Sequence, residues 1–230
     1  DVASGSCALT ADGKILAFTL YGFLYKINPE NNAIETSQRL ETDSVGQVDC
    51  LYRIDDRRLL GTTFITQRFF EINLSSGTGM DMGRAAGGGG EVLAVMPLCG
   101  KLYMASYTEG SLTEYDPALP ARFPENPRTV VMPPSTAMRP VGYCTDGESL
   151  YYTCNHKNGY LGSMTIKYTP KKGESLFLDD PLPYHAIQTM AYDKETKTIL
   201  AGTTYEADCK SAPVKDDNAY MVKIDPVTLK

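Results

Sequence analysis

Tryptophan is absent from the 230 residues, and histidine occurs only twice. Without Trp there is no Trp-Asp dipeptide, so a WD-repeat architecture is excluded. The two histidines, His156 and His185, confine any imidazole chemistry to two positions, and no HExxH or similar spacing links them. No CxxC pair occurs among Cys7, Cys50, Cys99, Cys144, Cys154 and Cys209, which removes zinc-ribbon and thioredoxin-like readings. Positive charge is in deficit, with 22 Lys and Arg against 28 Asp and Glu and a net charge of −6. That excludes a general nucleic-acid binder, which needs a basic face to displace counterions from phosphates. No apolar run approaches the roughly 18 residues a membrane helix requires, so no membrane partner is expected. No charged n-region followed by an apolar core is seen, and the chain opens on Asp1 instead of Met, which suggests trimming from a longer product. Long helical periodicity is missing as well.

What is present is turn-forming and repetitive. The chain holds 20 Gly and 14 Pro, with 42% apolar and 22% charged residues, so it is globular and not disordered. One pattern recurs five times: two mostly apolar residues, Lys or Glu, an apolar residue or Tyr, a small polar residue, then usually Pro. It reads Leu24-Tyr25-Lys26-Ile27-Asn28-Pro29, then Phe69-Phe70-Glu71-Ile72-Asn73-Leu74 and Leu112-Thr113-Glu114-Tyr115-Asp116-Pro117. The last two copies are Thr165-Ile166-Lys167-Tyr168-Thr169-Pro170 and Met221-Val222-Lys223-Ile224-Asp225-Pro226. The interval is about 43 to 56 residues, the range of propeller blades. Each copy follows an apolar run such as Leu102 to Tyr107, itself preceded by a turn such as Asp146-Gly147 and another short apolar run. A more polar segment follows, for example Ala33 to Leu40.

Four short strands per unit, apolar inside and polar outermost, predict an all-β fold, a β-propeller of about five four-stranded blades. The whole of 1–230 is read as one domain, with blades near 1–44, 45–86, 87–134, 135–183 and 184–230. The Asn or Asp of the pattern is expected to bond backbone amides beyond it, with Pro fixing the next turn position. Two closures stay open: five blades completed by a chain terminus, or part of a larger ring.

The segments "TEYDPALP" and "VKIDPVTLK", each after an apolar strand, resemble the YVTN, SMP-30 and quinoprotein-like propellers over nearly the whole chain. In that fold, the loops leading into each innermost strand share one face with the loops joining second to third strands. The first set carries Ser6, Gln47, Glu91, Arg139 and His185, expected to ring the mouth of the central channel. The second set is short in the first three units but long at 155–162 and 205–218. Insertions on one face of a repeat protein usually build its binding face. The expected function is therefore a binding or scaffold module with its site on this face, the partner being a small molecule, a carbohydrate or a protein. Gln47, Glu91, Tyr107, Arg139, Asn155, His156, His185 and Tyr205 are the candidate binding residues.

An enzyme is the alternative. The resemblance to SMP-30-like lactonases implies a channel metal, a candidate divalent cation, for which only Glu91 fits. The resemblance to propeller polysaccharide lyases implies His185, Arg139, His156, Tyr107 and Tyr205, with Glu91, His185, Arg139 and His156 as candidate catalytic residues. The acidic loop at 205–218 has no EF-hand register, so no metal ligand set is assigned there. The glycine run at 87–90 lacks the GK[ST] of a phosphate loop and is read as letting backbone pass close to the channel or to a ligand. Cys7, Cys50, Cys144 and Cys154 lie in apolar runs and read as buried thiols, and Cys209, in a polar loop, as exposed. Thiols read as buried hydrophobes and not as a disulfide framework favour a cytoplasmic over a periplasmic or secreted setting.

Overall fold

The computed structural model describes residues 4–10, 12–19, 23–39, 48–76 and 78–230. Among these residues nineteen strands form five antiparallel sheets in chain order. The first holds β1 (Ser4–Leu9), β2 (Ile15–Thr19), β3 (Phe23–Asn28) and β4 (Ala33–Arg39). The second holds β5 (Val48–Arg53), β6 (Arg58–Thr63), β7 (Arg68–Asn73) and β8 (Gly79–Arg84). The third holds β9 (Val92–Leu98), β10 (Lys101–Ser106), β11 (Ser111–Tyr115) and β12 (Arg128–Val131). The fourth holds β13 (Ala137–Thr145), β14 (Leu150–His156), β15 (Ser163–Thr169) and β16 (Glu174–Asp179). The fifth has three strands, β17 (Ala186–Asp193), β18 (Thr198–Thr204) and β19 (Met221–Ile224). This is a β-propeller.

The innermost strands stand side by side: β1 packs on β5, β5 on β9, β9 on β13 and β13 on β17. No comparable packing joins β17 to β1 among the described residues. Burial follows position in the blade. Every residue of β11 and β14 is buried, whereas β4 and β16 are almost wholly exposed. Successive strands of a blade are joined at one end by tight turns in which Gly13, Gly100 and Gly147 take positive φ, where a side chain would be strained. The core is a series of layers between neighbouring sheets. Met96, Tyr103 and Leu112 meet Leu150, Tyr152 and Ile166 between the third and fourth, and Leu16, Phe18 and Leu24 meet Leu59, Phe70 and Ile72 between the first and second. Each fully buried Leu or Ile in such a layer contributes about 2 kcal/mol.

The repeated motif has two jobs. Its polar residue caps the turn: Asn28, Asn73, Asp116 and Asp225 each accept backbone N–H bonds from residues two or three further on. Thr169 departs from this and bonds Ser149 by its hydroxyl. Its charged residue ties strands and blades together. Tyr115 in the third blade donates its hydroxyl to Glu71 in the second, at 3.0 Å. Lys167 in the fourth donates to the Pro226 carbonyl in the fifth, at 2.9 Å. Glu114 gathers Lys101, Tyr103 and Arg128.

The cysteines need a correction. Cys154 is buried and Cys209 exposed as expected, but Cys50 and Cys144 are half-buried and Cys7 is exposed. Cys7 pairs with Ala17, which pairs with Tyr25, on the face of the first sheet turned away from the second.

Candidate functional site

The two loop sets do lie at one end. β14 climbs to His156 and β16 to Asp179, and β17 starts down from Ala186, so His156, Asp180 and His185 share that end. Strand β14 runs on through Asn155 and His156, so the long fourth-blade loop begins at Lys157. The long fifth-blade loop contains a single 3-10 turn, Asp208–Lys210. The two loops are joined by a 2.9 Å bond from the Gly159 amide to the Ser211 hydroxyl.

Glu91 and Arg139 meet at this end. Arg139 Nη1 lies 4.0 Å from Glu91 Oε2, and its Nε donates to Asp208 Oδ2 at 3.0 Å. The guanidinium sits over the Tyr107 ring, 4.2 Å from its centroid. Burial disfavours the arginine charge, but the bond to Asp208 and the fields of Asp208 and Glu91 prevail and raise its pKa above the ordinary value. Arg139 thus bridges the third blade, through Glu91 and Tyr107, to the fifth-blade loop. Glu91 is only 5% exposed, and its Oε2 has no hydrogen-bond partner among the described residues. Gly90 is required beside it, because a Cβ there would strike the Tyr107 carbonyl.

The other candidates divide. His185 does not join Glu91 and Arg139. Its Nδ1 faces the Pro183 carbonyl at 2.9 Å and its Nε2 the Asn218 carbonyl at 3.1 Å, with Asp216 at 3.5 Å and the Tyr220 ring at 5.1 Å. Both ring nitrogens are engaged, so His185 anchors the 205–218 loop. Asp216 is committed locally too. Burial works to raise its pKa, but bonds from the Asn218 and Asp217 amides and the Tyr220 hydroxyl hold it below the usual carboxylate range. Asn155 is buried and accepts from Gln188 Nε2 at 2.9 Å. Tyr205 follows β18 and is half-buried. Gln47 lies outside the described residues, and of Ser6 only the backbone is described.

His156 is buried, and its Nε2 lies 3.0 Å from Asp180 Oδ1 and 3.3 Å from Asp179 Oδ1. Neither aspartate is readable from the sequence as a partner, because Asp179 ends β16, across β15, and Asp180 follows it. A cavity of about 210 Å³ opens here, lined by Tyr107, Met138, His156, Lys157, Asn158 and Asp208. It draws on the third and fourth blades and on both long loops. A larger cleft, about 530 Å³, lies between the first and second blades, with Asp12, Lys26, Gln38 and Arg53 in its lining and neither long loop.

No family model and no curated protein sequence matches the chain. Solved structures do. Virginiamycin B lyase from Staphylococcus aureus superposes with a TM-score of 0.66 at 13% identity, over 95% of this chain and 69% of that one. A streptogramin B lyase gives 0.67 at 10% identity, over 98% of this chain and 69% of that one. Hydrazine synthase of Kuenenia stuttgartiensis gives 0.66 at 10% identity, and this chain spans 56% of its length, having 88% of its own covered. At such identities the likeness establishes the propeller fold alone.

Proposed function

We propose that this propeller is a binding module for a compact polar ligand of the size and kind of a single sugar unit, held in the cavity between the two long loops. The observation that carries the reading is the convergence of both loops on one pocket: Lys157 and Asn158 from one, Asp208 from the other. At about 210 Å³ the pocket is smaller than the roughly 300 Å³ at which drug-sized sites begin. Its lining joins one aromatic ring and one thioether to a cation, a carboxylate, an amide and an imidazole, which suits a hydroxyl-rich ligand with one apolar face. Arg139 holds Asp208 and Tyr107 in place from behind. The test is a thermal-shift and calorimetric screen of neutral, amino and acidic sugars. A hit is expected to weaken about tenfold or more in Asn158→Ala and Lys157→Ala, since each removes a polar contact of about 1.4 kcal/mol. A hit that binds both variants as tightly as the parent would place the site elsewhere.

The likeness to two lyases favours a second reading, elimination chemistry in the same pocket, with Tyr107 and His156 as proton-handling groups. Virginiamycin B and uronate-containing oligosaccharides are the substrates to try, with product mass and new ultraviolet absorbance as readouts. An unchanged substrate after long incubation at high protein concentration removes that reading.

A further inference from the structure

We infer that His156, Asp179 and Asp180 form a binding site for one divalent transition-metal ion, Zn²⁺ or Mn²⁺ in chemical class. The site does not depend on the pocket holding the ligand proposed above. Three observations carry it. First, one buried imidazole nitrogen faces two carboxylates at once: Nε2 is 3.0 Å from Asp180 Oδ1 and 3.3 Å from Asp179 Oδ1. A ring nitrogen has at most one proton to give. If Nε2 carries it, one carboxylate takes it and the other, exposed, is left to water. If Nδ1 carries it, both anions face a lone pair. A cation between the three donor atoms relieves that conflict.

Second, the ring is not held from its other side. His156 is 5% exposed, yet its Nδ1 has no hydrogen-bond partner among the described residues. That nitrogen points away from the aspartates, so Asp179 and Asp180 alone orient the ring through Nε2. Third, the spacing fits. Donor atoms bound about 2.0–2.1 Å from a zinc ion in tetrahedral or octahedral array stand about 3.0–3.4 Å apart. The two nitrogen–oxygen separations fall in that range, and all three donor atoms lie within 4.8 Å of one another. One imidazole and two carboxylates is a donor set that suits Zn²⁺ and Mn²⁺. Both aspartates are exposed, which leaves coordination positions open to water.

The backbone makes room for the carboxylate. Gly162 has φ +93, and a methyl group there would overlap the Asp180 side chain. A bound ion would clip the end of β14, where the long loop begins, to the exit of β16, steadying the wall of the pocket that Lys157 and Asn158 line. It would also occupy the nitrogen that an acid–base role for His156 needs, so the two roles exclude each other at Nε2.

The experiment is a titration of the chain with Mn²⁺, followed by electron paramagnetic resonance, and with Zn²⁺, followed by calorimetry, at neutral pH. One ion per chain is expected. The Asp179→Asn/Asp180→Asn double variant, whose positions are exposed and whose fold is checked by its unfolding temperature, is expected to lose at least ~100-fold in affinity, and His156→Gln at least ~10-fold. No binding of either ion below about 1 mM, or an ion bound as tightly by the double aspartate variant as by the parent, overturns the assignment. Should His156→Gln fail to fold, the aspartate variant decides alone.

Discussion

Replacing Arg139 by Met tests how the mouth is held together. The methionine keeps much of the stem and deletes the charge. Three interactions go with it: the 3.0 Å bond to Asp208, the stacking on Tyr107 at 4.2 Å, and the charge facing Glu91 at 4.0 Å. A hydrogen bond to a charged group contributes about 1.5–3 kcal/mol net, and a partly exposed cation over a ring about 1 kcal/mol. The largest effect is on Glu91. It is 5% exposed with an unpartnered oxygen, and without Arg139 it becomes a buried charge with no counter-charge. Stranding such a group costs about 3–5 kcal/mol when burial is complete. The effects share partners and do not add, and Arg139 is itself 27% exposed on its side chain, so water softens them. The expected total is about 3 kcal/mol, which in a domain of this size lowers the unfolding temperature by roughly 6–12 °C. The decisive variant is Glu91→Gln in the Arg139→Met background. Removing the stranded charge should return about 1–2 kcal/mol there, while the same change in the parent protein returns nothing. Thermal and urea unfolding of the four proteins completes the cycle. A loss below about 3 °C, or a double variant no more stable than Arg139→Met, refutes the account.

Three further outcomes are expected. Burial works to raise the pKa of Glu114, but hydrogen bonds from Lys101, Tyr103 and Arg128 outweigh it and hold the group below its ordinary 4.5. A depressed carboxylate stabilises the fold above its unfolded pKa and loses that contribution as pH falls through its folded one, so unfolding temperature should drop between about pH 5 and 3, and Glu114→Gln should flatten that drop. Gly162→Ala should lower stability by about 1–3 kcal/mol, as Gly159→Ala does, and by a further ~0.5 kcal/mol for displacing the Asp180 side chain from His156. Both glycines have positive φ near 90°, but only Gly162 has a neighbour where the methyl would go, so equal unfolding temperatures would contradict this. Burial pushes the Cys144 thiol up to about 12 and Cys154 higher still. Alkylation at mildly basic pH, read by peptide mass, should therefore mark the exposed Cys7, Cys99 and Cys209 well before Cys144 and Cys154.

The blades were legible because a repeat states the same physical demand several times. Short runs with Asn or Asp at their ends and Gly in the opposite turns specify hairpins locally, and the Asn28, Asn73, Asp116 and Asp225 turns close through side chain to backbone bonds within three residues. The Glu91–Arg139 meeting was legible for a related reason: both precede or open an innermost strand, and the repeat puts those positions at one mouth. What was not legible depends on partners that no period encodes. Asp179 and Asp180 reach His156 only because β15 separates two strands that rise to the same end, and nothing near His156 in the chain marks them. His185 has the right position for the mouth, but the 205–218 loop folds back and engages both ring nitrogens. Cys7 and Cys154 show the same limit in the core. Both lie in apolar runs, yet Cys154 lies beneath the Gly110 carbonyl of the neighbouring blade while Cys7 lies on a face that no described blade covers. An apolar period states that a face should be covered, and only the assembled blades say what covers it. Contacts made within a blade or between adjacent strand ends follow from the repeat, whereas the pocket between Lys157, Asn158 and Asp208 rests on two loops of unique sequence, and it is there that substitution should change binding without disturbing the fold.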